Sequence, residues 1–213
     1  CALPILPVNN FEIGETAKSV EPVMEMIFIE KPFDVNSDDD FERKLFIFRN
    51  YISHQIANIT QNDPIGFYVA SMSCRKLIYK GQLRSVQIRN YFKDLTDPKL
   101  TSAFGMIHSR FATNTNPNWN LAQPFRFLAH NGEINTLSGN ILRMKIREAS
   151  LESELFGDDI AKIKPVLVDL DLVNLKYYDV LLGQELTNVC YKDNGHFTSG
   201  VESLFDIVKV ESK

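Results

Sequence analysis

Apolar and polar positions change period several times along the chain, and each change marks a predicted element. Residues 23–30, VMEMIFIE, alternate and are rich in β-formers, which predicts a strand. From Asp38 the spacing switches to steps of three and four. Phe41, Leu45, Phe48, Ile52 and Ile56 then share one face of a predicted helix opened by Asn36-Ser37-Asp38. Asp38, Asp39 and Asp40 fall in its first turn, where negative charge complements the helix dipole. That run reads as a solvated helix start, since no second carboxylate cluster completes a cation shell. Residues 66–80 read as two short strands, with Ser73-Cys74-Arg75 at the bend and Gly81 closing the pair. Ser85 is a candidate cap for a helix through Phe92, with Ile88, Tyr91 and Phe92 inward. Thr96-Asp97-Pro98 is turn chemistry. Ala103–Ile107 and Phe125–Ala129 are two further strand-like runs. Asn135 or Thr136 starts a helix to about Ala149, with Leu137, Ile141 and Met144 on one face. The first 22 residues, broken by Pro4, Pro7 and Pro22, read as an extended entry with one helical turn near Gly14–Ser19. Asp158 to Leu175 alternates without a clean element.

Composition narrows the picture. The 213 residues are 44% hydrophobic, enough for one core. The net charge is −4 and there is no basic block, so a nucleic-acid partner is not expected. No apolar run reaches the length of a membrane span, and the first residues show no signal-peptide pattern. Cys1, Cys74 and Cys190 are widely spaced. That argues against a disulfide framework or a zinc site and fits a reducing cytoplasm or organelle interior. Cys74 and Cys190 are expected to be buried small hydrophobes.

The stretch Ile107–Asn140 concentrates the candidate chemistry. Two apolar runs each end in a polar knot: His108-Ser109-Arg110, and His130-Asn131-Gly132-Glu133. Between them runs an Asn- and Pro-rich loop with the only Trp, Trp119. An Arg at a strand end, such as Arg110, can clamp a carboxylate with two parallel hydrogen bonds; the alternative is a structural salt bridge. Asn131-Gly132 is either an ordinary turn or an oxyanion hole, in which the Asn amide and the Gly N–H donate to a developing negative oxygen. His108 and His130 lack a neighbouring carboxylate motif and read as turn-shaping residues. Cys1 offers a thiol and an α-amine within one residue, so the amine can act as base for its own thiol. The alternative is that Cys1 is where a fragment starts.

Taken in order, these residues resemble a known family. His108-Ser109-Arg110-Phe111-Ala112-Thr113-Asn114-Thr115, Trp119, Leu121-Ala122-Gln123-Pro124-Phe125-Arg126, Leu128 through Thr136 and Gly139-Asn140 are similar to the glutaminase domain of glutamate synthase large subunits. Upstream, Pro7-Val8-Asn9-Asn10, Ile13-Gly14, Glu21-Pro22, Phe41 through Leu45, Phe67-Tyr68-Val69, Ser71, Ser73 and Tyr79-Lys80-Gly81 resemble it in the same order. The resemblance covers roughly residues 3–165. It implies an α+β, N-terminal-nucleophile hydrolase fold, a four-layer αββα sandwich incomplete at both ends. Residues 1–165 are then a partial class II glutamine amidotransferase domain and 166–213 a divergent tail.

In such a domain an N-terminal Cys attacks the side-chain amide of glutamine, and the thioester left after ammonia departs is hydrolysed to glutamate. The ammonia passes to 2-oxoglutarate at a distant flavin site. The resemblance gives Arg110 the α-carboxylate of glutamine, Asn131 and Gly132 the oxyanion hole, and Trp119 part of the entrance wall. It implies no cofactor in this chain, FMN and an iron–sulfur cluster in the full-length protein, and as partners glutamine and the remaining domains. Two features depart from the family. Cys1 is followed by Ala2-Leu3-Pro4 where the family has Gly and an apolar run, and Pro7–Asn10 matches a segment well downstream of the catalytic Cys. After about Pro165 the Gly-Ser-Asp-Ser segment that binds the α-amino group is missing. The expectation is a fragment inactive as an isolated chain. The alternatives are a stand-alone amidotransferase using Cys1 and a non-catalytic glutamine-binding module.

Overall fold

The computed structural model describes residues 12–59, 67–109, 118–120, 122, 124 and 137–166, with Ala57 and residues 137–141 described by backbone alone. Helix α1 is the single turn Glu15–Lys18, where one was expected. Helix α2 runs Asp38–Ile59, α3 Ser85–Tyr91 and α4 Leu137–Ala149. Short 3₁₀ turns occupy Lys93–Thr96 and Gly157–Lys162. Gly157 has φ 48°, a left-handed conformation that glycine enters without a Cβ clash.

The start of α2 follows from its polar residues. The Ser37 hydroxyl accepts the Asp40 N–H at 3.1 Å and donates to the Asp40 carboxylate at 2.6 Å. This bond, and then the Arg43 guanidinium, hold the Asp40 carboxyl below its usual range. Each acid of the first turn has a cation: Asp38 pairs with Lys31 at 3.0 Å, Asp39 with Arg75 at 2.6 Å, and Asp40 with Arg43.

The helix buries two faces, which corrects the single stripe expected from spacing. Phe41 and Leu45 pack with Val35 and Met72. Phe46 and Ile47 pack with Leu151, Phe156, Ile163, Val166, Met144 and Ile160. Phe48, placed on the inward stripe by periodicity, is 47% exposed. A helix flanked by two partners needs a wider apolar arc than a 3.6-residue stripe marks.

Helix α3 begins as expected, but its cap lies elsewhere. Arg84, not Ser85, precedes the first turn, and the Gln87 side chain closes it by accepting the Arg84 N–H at 2.8 Å. Tyr91 and Phe92 are buried, and Ile88 is half-buried against the same cluster. At the 96–98 turn the Asp97 carboxylate accepts the Lys99 N–H at 2.8 Å and its carbonyl accepts the Leu100 N–H at 3.0 Å.

Among the described residues no ladder of paired strands forms. Residues 23–30, predicted as a strand, form none; Met24 and Met26 pack onto the Trp119 cluster while Val23, Ile27 and Phe28 are exposed. The period of two marks the core side only as far as Met26, since Phe28 on the same side is exposed. It does not report pairing, which needs a second chain segment alongside. Residues 103–107 form no strand either, with a bend at Ala103, and expose Phe104 and Ile107. Phe125–Ala129 and the Asn135–Thr136 helix start lie outside the described residues.

Candidate functional site

The described part of the candidate stretch is held by the run Tyr68–Gly81, and the bend in that run sets its course. The Glu42 carboxylate on α2 accepts the Ser73 hydroxyl at 2.8 Å and the Cys74 N–H at 2.6 Å. The Ser73 oxygen in turn accepts the N–H groups of Arg75 at 3.0 Å and Lys76 at 3.1 Å. Cys74 is exposed rather than the buried hydrophobe expected, because the bend rides on the polar N-terminus of α2. Its thiol is still pushed up to about 11, first by loss of water around the sulfur, then by the adjacent Glu42 and Asp38 carboxylates. Cys190 lies outside the described residues.

Beyond the bend, Tyr79, Lys80 and Gly81 each make a different contact. The Tyr79 ring stacks 4.9 Å from that of Phe92 and its hydroxyl donates to Asp94 at 2.9 Å. The Lys80 ammonium, on a residue 6% exposed, donates to the Asn120 carbonyl at 2.7 Å and lies 4.9 Å over the Tyr68 ring. Gly81 lies against the face of the Trp119 indole.

Trp119 is accordingly a packing centre. It is 2% exposed, joins Ile13, Tyr91 and Phe92 in one cluster, and stands 5.7 Å from the Tyr91 ring. Its indole N–H donates to the Ala17 carbonyl at 2.9 Å, and its own carbonyl accepts the Tyr68 hydroxyl at 3.3 Å. Burial pushes that phenol up to about 12, so it remains a donor at neutral pH.

His108 is half-buried and Ser109 exposed. Arg110, Asn131, Gly132, His130 and Cys1 lie outside the described residues. Among the described residues no group of three or more His, Cys, Asp or Glu side chains is placed to hold a metal ion. No described helix is long and apolar enough to cross a membrane. A separate open cavity of about 330 Å³ lies between α2 and the Gly157–Lys162 turn, lined by Lys44, Ile47, Phe48, Tyr51, Asp159 and Lys162. It contains none of the candidate residues.

The sequence reading gave Tyr68 and Lys80 no role of their own, and Gly81 only the closing of a strand pair. A signal was present for Lys80. Alternation from Ile78 places it on the inward side of an apolar run, where a Lys is rare unless paired.

Residues 2–176 match the family described as Glutamine amidotransferases class-II. The glutamate synthase (NADPH) large chain of Bacillus subtilis is 43% identical over 162 residues, covering 76% of this chain and 10% of that protein. The glutamate synthase (NADH) of Schizosaccharomyces pombe is 40% identical over 167 residues, covering 76% of this chain and 8% of its own length. The ferredoxin-dependent glutamate synthase 2 of Synechocystis is 44% identical over 147 residues, covering 69% and 9%. The chain thus spans about a tenth of the length of these relatives.

Proposed function

The chain belongs to the class-II glutamine amidotransferases, and we propose from that premise that it forms part of the glutaminase domain of a glutamate synthase. One observation carries the reading. The relatives are named for three electron donors, NADPH, NADH and ferredoxin, yet identity stays between 40% and 44%. What the chain shares with all three is therefore independent of the donor, as a glutamine-handling domain is.

In this reading Arg110 clamps the α-carboxylate of glutamine with two parallel hydrogen bonds. A cysteine thiol gives its proton to a base and attacks the side-chain carbonyl carbon, forming a C–S bond; the base then returns that proton to the amide nitrogen as the C–N bond breaks. The carbonyl oxygen takes the negative charge between the Asn131 amide and the Gly132 N–H. Collapse expels ammonia, and water hydrolyses the thioester to glutamate and free thiol. Trp119, buried with its N–H held by the Ala17 carbonyl, is assigned to the wall of the glutamine entrance. The fold of this reading is the four-layer αββα sandwich, with residues 1–165 in the amidotransferase domain and the motif-by-motif resemblance ending there. FMN, the iron–sulfur cluster and 2-oxoglutarate belong to the remaining domains, and the compartment is a reducing one.

The test uses the full-length chain with either glutamine or free ammonia as nitrogen donor. Asn131→Ala is expected to lower glutamine-dependent kcat by roughly 10²–10³, and Arg110→Ala to raise KM for glutamine, with ammonia-dependent activity retained in both. Unchanged glutamine kinetics in both variants would falsify the reading. A second reading, in which Cys1 is the nucleophile, is favoured by its thiol and α-amine lying in one residue. A glutamine-mimicking electrophile tests it: an adduct on Cys1 with loss of glutaminase activity selects this reading, and an unmodified Cys1 excludes it.

A further inference from the structure

We draw no further inference here: the strongest candidate, the open cavity between α2 and the Gly157–Lys162 turn lined by Lys44, Ile47, Phe48, Tyr51, Asp159 and Lys162, has its Lys162 already paired with Asp159, and nothing in the structure shows what covers it.

Discussion

Gly81 lies so close to the Trp119 indole that a Cβ there would stand 2.7 Å from Cε3 and nearer still to Cζ3. Real Cβ atoms do not approach a ring that closely. The indole in turn is 2% exposed and packs with Ile13, Tyr91 and Phe92. Gly81→Ala is therefore expected to destabilise the fold by roughly 1–3 kcal/mol, the usual cost of overpacking. Trp119 is the only Trp in the 213-residue chain, so its emission reports the site directly. A red shift and a lowered Tm are expected; unchanged emission and Tm would show that the indole is not packed on Gly81.

The bend at Ser73–Cys74 hangs on one carboxylate. Glu42→Ala removes the acceptor of both the Ser73 hydroxyl and the Cys74 N–H. A loss of about 1–3 kcal/mol is expected for bonds to a charged acceptor, read from chemical denaturation.

The same substitution changes the thiol. Cys74 is pushed up to about 11, and Glu42 contributes to that rise after desolvation. Alkylation of Cys74, located by mass spectrometry, is expected to accelerate only as pH approaches about 11 in the native chain. In Glu42→Ala the acceleration begins at lower pH. Identical pH profiles would refute the assignment of Glu42 as a cause.

His54 on α2 gives a pH dependence of stability. Burial holds its pKa below the ordinary 6.5, while the Pro165 backbone bond and the Glu148 charge act in the opposite direction. Between the folded pKa and 6.5 the unfolded chain binds more protons than the folded one, so stability rises with pH across that window. The penalty is absent above 6.5 and grows as pH falls below it. His54→Gln is expected to flatten this part of the profile. Melting curves of both chains from weakly acidic to neutral pH make the comparison, and parallel profiles would exclude the effect.

Ile163 is fully buried among Phe46, Leu151, Phe156 and Val166. Ile163→Ala is expected to cost about 2–5 kcal/mol through lost burial and the cavity left behind. A change below that range in a denaturant titration would mean the cluster collapses around the gap.

Much of the local structure was legible from residue spacing. The turn at Glu15–Lys18, the start of α2, the end of α4 and the place of α3, though not its cap, follow from polar starts, Pro positions and apolar steps, all of them interactions between near neighbours. The alternation of residues 23–30 was legible, but it predicted a strand where the chain forms none. Pairing of extended runs was not, because it depends on a partner distant in sequence. The ordered motifs from His108 to Asn140 already carried the family, and the chain's match over residues 2–176 agrees.

The sequence by itself determined which chemistry the chain is descended from, because that is written in residue types and their order. Only the tertiary structure decided what surrounds Trp119. Its contacts with Ala17, Tyr68, Gly81 and Tyr91 join residues up to 102 positions apart, as does the bond from Lys80 to the next residue's carbonyl over 40. No local pattern encodes such contacts. They exist because burying an indole and an ammonium together requires every polar group around them to find a partner within the same small volume.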